Sequence, residues 1–245
     1  MNYDTQTPIG DIALRTPASM RLFESLNLDY CCGGHLPLGT VCRKAGLDAQ
    51  KVLTDLAGLE VGPRDSGDPS RFAEGSLTAL MAHIEAKHHA FTREELDRLH
   101  PLMEMVLGVH GARHPELAEV ARLLLALESD LRPHLEKEER ILFPYIRGLE
   151  GEGKACEACF GTVSGPIRMM EQEHEEAGAL LASLRRLTHG YEPPSDACGS
   201  FRSLYMGLQA LEEDLHRHIF LENHLLFPRA IALEASALLD NRRGA

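Results

Sequence analysis

Apolar residues recur every three or four positions along most of the chain, which is the spacing of one face of an α-helix. From residue 76 onward this pattern predicts four long helices, at 76–107, 116–149, 165–187 and 199–235. The connections between them carry Gly or Pro, which end helices. No run alternates between apolar and polar residues as a half-buried strand would. The pattern therefore predicts an all-α protein built on an up-and-down four-helix bundle.

The first 60 residues show a shorter helical pattern. Short helices are predicted at 18–26, 38–45 and 48–59, with a turn at "DYCCGGHLP". The stretch "VGPRDSGDPS" has no periodic apolar face and predicts a linker. The expected organisation is a small helical module at 1–60, a linker at 61–75, the bundle at 76–235 and a C-terminal tail at 236–245.

Histidine and glutamate interrupt the apolar faces of the bundle helices. "HLEKEERILFP" and "HIFLENHLLFP" each place a histidine four residues before a glutamate, so both side chains lie on one face of a helix. These pairs are His134 with Glu138 and His218 with Glu222, and His174 interrupts the third helix in the same way. A bare buried carboxylate costs several kcal/mol. A shared metal ion would remove that cost.

A residue count along the helices selects the partner from the first helix. At 1.5 Å per residue, His83 falls in the same layer as the three other histidines. His110 would lie about 40 Å from His83 on a continuous helix and is not expected to contribute. His88 and His89 are expected to lie behind the ligands or at the entrance of the site.

The donor atoms limit the choice of metal. Structural zinc sites often contain Cys, and Mg²⁺ and Ca²⁺ prefer oxygen ligands alone. Mixed nitrogen and oxygen donors for two ions favour iron, with manganese second. The expected ligands are His83, His134, Glu138, His174, His218 and Glu222.

Two of the six cysteines are adjacent. Cys31 and Cys32 lie in a glycine-flanked turn that is expected to leave them accessible, and a strained disulfide between them would be easily reduced. They are the expected catalytic residues, as a thiol site that senses redox state, meets nitric oxide or transfers iron. The alternative is two ordinary turn cysteines. Cys156 and Cys159 have the spacing of a redox or metal pair. Packing roles are expected for Cys42 and Cys198.

Charge and composition narrow the partners. The net charge is −12, so neither nucleic acid nor an anionic membrane surface is an expected partner. No window approaches the roughly 20 apolar residues of a membrane helix. The N-terminus lacks the pattern of an export signal, and a cytoplasmic protein is expected.

Seven motifs, in this order, resemble the di-iron family of iron–sulfur cluster repair proteins, also called repair of iron centres proteins. They are "DYCCGG", "VHG", "HPEL", "KEERILFP", "MEQEHEEAG", "LYMGL" and "HIFLENHLLFPRA". The resemblance covers nearly the whole chain and implies a haemerythrin-like domain at 76–235. It also implies the six ligands named above and a non-haem centre of two iron ions with carboxylate and oxo bridges. His110 matches a histidine that is often implicated in the family.

The resemblance implies a function in stress response. The family helps to restore iron–sulfur clusters damaged by nitric oxide or peroxide, by supplying iron. Damaged iron–sulfur proteins are therefore the expected recipients, nitric oxide or oxygen the small ligands, and a homodimer the suggested assembly. Two alternatives need the same ligands: a di-iron nitric oxide reductase or peroxidase, and an oxygen or iron sensor or store. The N-terminal thiol module favours repair, because oxygen carriage requires no such module.

Overall fold

The computed structural model describes residues 3–59, 69–152 and 161–243. Within these ranges the chain is helical without a strand, and one isolated bridge joins Pro8 to Pro37. The predicted all-α class is confirmed. The helices are α1 (Ile9–Arg15), α2 (Ser19–Ser25), α3 (Leu38–Lys44), α4 (Ala49–Ala57), α5 (Leu77–His83), α6 (Ala90–His110), α7 (Glu116–Lys137), α8 (Phe143–Glu152), α9 (Ser164–Leu187), α10 (Gly199–Leu221) and α11 (Phe227–Arg243).

Short π-helical segments join several of these helices end to end. They are Ile84–His89 between α5 and α6, Glu138–Leu142 between α7 and α8, and Glu222–Leu226 between α10 and α11. Together with α9 they form four long helices, at 77–110, 116–152, 164–187 and 199–243. The predicted starts lie within one residue of these. The fourth helix runs past its predicted end at residue 235.

The described residues fall into two compact units. The bundle unit is Ala82–Leu215, and the module unit is Met1–Met81 with His216–Ala245. Their boundaries fall inside α5 and α10, so they differ from the boundaries predicted at 60 and 76. Residues 60–68, which hold most of the predicted linker, lie outside the described part of the chain.

The bundle unit has one leucine-rich core. α7 packs against α6 and α9, and the stripes of α6, α7, α9 and α10 meet in a single cluster. Leu99, Leu127, Leu181 and Leu211 are at most 1% exposed in it. The apolar stripes predicted from periodicity are therefore the buried faces. The core reaches Leu131 on α7, three residues before His134.

The module unit has a second core. α1 to α4 surround Ile9, Phe23 and Tyr30, and the last long helix contributes Ile219 and Phe220 to the same cluster. The ring centroids of Tyr30 and Phe220 are 5.7 Å apart. The N-terminal helices are thus packed on the part of the fourth long helix that follows residue 215. None of the described helices combines the length and apolar composition that a membrane crossing requires.

Candidate metal centre

Both His–Glu pairs stand where an α-helix widens into a π-helical turn. Glu138 and Glu222 are the first residues of their π-helical segments. Each segment ends at the leucine of a Leu-Phe-Pro motif. Pro144 and Pro228 lack the N–H that would bond to the carbonyl four residues earlier. Those carbonyls belong to residues 140 and 224, inside the π-helical segments. The repeated Leu-Phe-Pro motif therefore favours the widened turn, a feature often found at functional sites.

The carboxylate of Glu138 is buried among imidazole rings of the bundle unit. Its side chain is 0% exposed, and its Oε2 lies 3.4 Å from His89 Nε2 and 3.4 Å from His134 Nε2. His174 Nε2 lies 3.2 Å from His134 Nε2. One ligand atom each of His134, Glu138 and His174 lie within 4.8 Å of one another. Three rings and one carboxylate therefore share a small buried volume.

Carboxylates behind the rings fix their orientation. Glu139 Oε1 lies 2.8 Å from His89 Nδ1, and Glu173 Oε2 lies 2.8 Å from His134 Nδ1. When Nδ1–H donates to a carboxylate, the Nε2 of the neutral ring carries the lone pair. Both Nε2 atoms then direct lone pairs toward the carboxylate of Glu138. Such convergence of electron-pair donors is the arrangement that a cation requires.

Cations hold the outer carboxylates in their ionised form. Hydrogen bonds from His134 and from Lys137 lower the pKa of Glu173 to about 2. Burial acts to raise the pKa of Glu139, but hydrogen bonds from Arg93 and His89 outweigh burial and leave this pKa below its ordinary value. Arg93 reaches both oxygens of Glu139, at 2.8 and 3.0 Å. The outer carboxylates are therefore ionised at neutral pH.

The structure brings His89, rather than His83, to Glu138. His83 is half-buried, and the centroid of its ring lies 5.5 Å from that of His88. The cause is the π-helical segment Ile84–His89. A π-turn closes over five residues instead of four, so the inward face shifts relative to a regular helix. A residue count that assumes a regular α-helix of 3.6 residues per turn therefore selects His83 instead of His89.

Other histidines of the bundle unit pair with different groups. His88 is buried, and its Nδ1 lies 3.0 Å from both carboxylate oxygens of Asp214. His110 Nε2 lies 3.2 Å from Cys198 Sγ, and its ring centroid is 5.2 Å from that of Phe201. Cys198 is exposed in front of α10. His110 is thus part of a separate contact.

The second His–Glu pair lies in the module unit. His218 Nε2 is 3.2 Å from Glu222 Oε1, and the two side chains are 1% and 0% exposed. The spacing, burial and π-helical position repeat those of the first pair. The same energetic argument applies, because a buried carboxylate requires a compensating charge.

The turn with the adjacent cysteines is folded around Asp29. Asp29 Oδ1 accepts hydrogen bonds from the backbone N–H groups of Cys31 and Cys32, at 3.1 and 2.9 Å, and Oδ2 accepts one from Gly33 at 2.9 Å. Cys31 is 5% exposed, and Cys32 is half-buried. Hydrogen bonding with Cys32 and burial raise the pKa of Cys31 well above its usual range. The expected accessibility therefore applies to Cys32, while Cys31 is a buried, protonated thiol.

Of the other cysteines, the structure describes Cys42 and Cys198. Cys42 is buried in the core of the module unit. The predicted pair of Cys156 and Cys159 lies outside the described residues. His224 does approach the turn: its Nε2 lies 2.8 Å from the carbonyl oxygen of Cys31. Burial lowers the pKa of His224, so its ring is neutral at neutral pH.

Two family models match the chain. Residues 80–230 match the Hemerythrin HHE cation binding domain, and residues 5–60 match a domain of unknown function, DUF542. The first match contains both His–Glu pairs, and the second contains the Cys31–Cys32 turn. The predicted haemerythrin-like bundle is therefore confirmed. Together with the buried imidazoles and carboxylates, the match indicates a metal centre.

Three relatives that match nearly the whole chain share the name iron-sulfur cluster repair protein YtfE. The protein of Edwardsiella ictaluri is 38% identical over 224 residues, which is 91% of this chain and 96% of the relative. That of Pectobacterium carotovorum subsp. carotovorum is 38% identical over 231 residues, 94% and 99% of the two chains. That of Escherichia coli O157:H7 is 35% identical over 227 residues, 93% and 97%. The chain belongs to the family of iron–sulfur cluster repair proteins that carry a haemerythrin-type cation-binding domain.

Proposed function

We propose that this protein holds two iron ions in a non-haem centre and supplies iron to iron–sulfur clusters damaged by nitric oxide or peroxide. The observation that carries the proposal is the buried carboxylate of Glu138, which has imidazole nitrogens of His89 and His134 3.4 Å from one of its oxygens. The name shared by the relatives supports repair as the purpose of the iron.

The proposed ligands are four imidazoles and two carboxylates. His218 and Glu222 are included because they repeat the spacing and the burial of the first pair. His89 replaces His83 because it is the histidine of the first long helix beside Glu138. Glu138 and Glu222 would each supply a carboxylate to the iron centre. The full set is His89, His134, Glu138, His174, His218 and Glu222.

The donor atoms of this set fit iron. Nitrogen and oxygen donors suit divalent and trivalent iron, while the absence of a thiolate from the proposed set disfavours a structural zinc site. Imidazole-rich coordination also leaves the site less negative than a site dominated by carboxylates. Bound iron would provide the cargo for rebuilding a cluster.

The surrounding residues orient the ligands and exclude water from them. Glu139 and Glu173 hold the imidazole protons at Nδ1, which leaves Nε2 available. The ring of Phe143 stacks on that of His89, with centroids 5.8 Å apart and planes inclined by 19°. Leu135 and Leu142, beside the ligands in sequence, are 0% and 2% exposed. A low local dielectric strengthens the attraction between a cation and these ligands.

The thiol turn is the proposed meeting point with small oxidants or with the iron recipient. Cys32 is the more accessible of the two thiols, and Cys31 is buried and protonated. Nitric oxide and oxygen are the proposed small ligands, and damaged iron–sulfur proteins the proposed recipients. A reducing compartment such as the cytoplasm would keep both cysteines as thiols. A homodimer is the proposed assembly, and sedimentation of the purified chain tests it.

Transfer of iron to a damaged cluster tests this function. An iron–sulfur dehydratase inactivated by nitric oxide is incubated anaerobically with the iron-loaded protein and a thiol reductant. We expect recovered dehydratase activity to rise in step with the iron lost by the wild-type protein. Glu138→Leu should give no recovery, whereas Glu136→Leu, on the exposed side of the same helix, should behave as wild type.

Other outcomes separate the alternatives. Catalytic consumption of nitric oxide with an electron donor and full retention of iron would favour a reductase. Reversible oxygen binding with full retention of iron would favour a sensor or store. Failure of the iron-loaded protein to restore any activity would contradict the repair proposal.

A further inference from the structure

The imidazole of His224 connects the fourth long helix to the thiol turn. His224 lies in the π-helical segment Glu222–Leu226, and its Nε2–H donates to the carbonyl oxygen of Cys31 at 2.8 Å. That carbonyl belongs to the peptide bond between Cys31 and Cys32. Both ends of the hydrogen bond lie in the module unit. The peptide that joins the two cysteines is therefore attached to the helix by one side chain.

Two glycines make room for this ring. A Cβ on Gly10 would lie 2.8 Å from His224 Cε1, and a Cβ on Gly34 would collide with His224 Nε2 and with the carbonyl oxygen of Tyr30. The N–H of Gly10 donates to the carbonyl oxygen of Gly34 at 2.8 Å. The ring of Phe220 lies beside the imidazole, with centroids 4.8 Å apart. The ring is thus enclosed, so a displacement of His224 must also displace the thiol turn.

The same π-helical segment carries Glu222 two residues earlier. A π-turn has wider hydrogen-bond spacing than an α-helix and commonly marks a functional site within a longer helix. If Glu222 binds iron, a change of this segment between the iron-loaded and iron-free protein reaches His224 through two residues of backbone. The hydrogen bond to Cys31 then conveys the change to the thiol turn.

We propose that His224 is a positioning residue that couples iron occupancy at Glu222 to the reactivity of Cys32. The inference rests on the proposed function, because it requires Glu222 to be an iron ligand. Coupling between two sites is reciprocal in its binding free energies. Modification of the Cys32 thiol therefore changes the affinity for iron, which links an encounter with an oxidant to the retention of iron.

The test compares the rate of Cys32 alkylation by iodoacetamide in iron-loaded and chelator-treated protein without oxygen. Mass spectrometry of the peptide that carries Cys31 and Cys32 gives the rate, and iron is measured on the same samples. We expect the two wild-type rates to differ roughly tenfold, within the usual range of coupling between sites. His224→Leu lacks the N–H donor and should bring this ratio close to one while iron is retained. If His224 only stabilised the fold, its substitution would leave this ratio unchanged, because both rates are measured on the same variant.

Matched variants strengthen the comparison. His35 is exposed in the same turn, so His35→Leu should keep the wild-type ratio. His224→Asn keeps a side-chain N–H and should restore part of the wild-type ratio of alkylation rates. Gly10→Ala displaces the ring and should lower the ratio even if His224→Leu fails to fold. An unchanged ratio in Gly10→Ala and in the folded His224 variants would overturn the proposal.

Iron content separates this inference from the proposed function. A wild-type protein that binds iron but has a ratio of one refutes the coupling alone. A wild-type protein that binds no iron refutes the iron site and the coupling together.

Discussion

Glu138 shows at the scale of one residue why a bound metal would stabilise this fold. Its carboxylate is fully buried beside His89 and His134, and an uncompensated charge there opposes folding. We therefore expect Glu138→Leu to reduce bound iron to half or less. The same variant without metal should be as stable as the metal-free wild type, or more stable by up to about 4 kcal/mol. Iron analysis and urea unfolding after chelation measure both effects.

The matched control for this prediction is Glu136→Leu, since Glu136 is 57% exposed on the same helix. It should leave the iron content unchanged. Wild-type iron content in Glu138→Leu would contradict the assignment of Glu138 as a ligand.

His89 and His83 provide a comparison within one helix. His89 Nε2 faces Glu138, and His83 does not belong to that group. His89→Leu should weaken iron binding by more than the roughly 10–100-fold loss expected for removal of an outer hydrogen-bond partner. His83→Leu should have a smaller effect. Competition with a calibrated chelator measures both affinities, and a larger loss in His83→Leu would return the ligand role to His83.

His114 gives the bundle unit a pH-dependent contact. The hydrogen bond from His114 to Asp196 at 3.1 Å, supported by Glu116, raises the pKa of His114 above its usual 6.5. Its stabilising contribution is therefore complete below pH 6.5 and is lost as the pH rises through the folded-state value. His114→Gln should lower the free energy of unfolding more at pH 5.5 than at pH 9. Urea unfolding at the two pH values checks this, and an equal loss at both would contradict it.

Periodicity identifies a buried polar residue when the helix between that residue and the apolar stripe before it is regular. His134 and His174 lie on the apolar stripes of α7 and α9, and both are buried as those stripes require. His89 is the last residue of the π-helical segment Ile84–His89, which changes the face of the helix that points inward, and no apolar pattern reveals this shift. The burial of Cys31 depends on contacts with distant residues, which a local pattern does not contain.

At the scale of the element, the starts of the long helices are the feature that the sequence predicts best. Gly and Pro separate the apolar stripes, so the predicted starts of the long helices lie within one residue of those observed. The sequence pattern does not predict α1 (Ile9–Arg15). This helix has seven residues, and its apolar face of Ile9, Ile12 and Ala13 is recognisable only when packed in the module unit.

Packing of α7 gives an element-scale prediction. Leu127 is 0% exposed in the leucine-rich core, whereas Leu125 on the same helix is 51% exposed. Leu127→Ala should lower the free energy of unfolding by about 2–5 kcal/mol, because it removes buried methyl groups and leaves a cavity. Leu125→Ala should change it by less than about 0.5 kcal/mol. Denaturant unfolding of the two variants measures the difference, and equal costs would contradict the assigned inner face.

At the scale of the whole molecule, sequence motifs and compact units divide the chain differently. The family matches cover 5–60 and 80–230, while the module unit also contains residues 216–245. Ile219 and Phe220 belong to the second match but pack in the core of the module unit. Such contacts between distant parts of the chain leave no periodic trace, so composition and linker signals could not reveal them. The boundaries predicted at 60 and 76 stay a prediction.

The central claim is that histidine and glutamate occupy apolar helix faces because two iron ions are bound there. Iron analysis with Mössbauer spectroscopy of the full-length protein, purified without oxygen from iron-replete cells, tests this claim most directly. We expect about two irons per chain with the parameters of nitrogen and oxygen ligands, and a spectrum that changes in both Glu138→Leu and Glu222→Leu. A folded wild-type protein without metal, or iron that is unaffected by either substitution, would contradict the account.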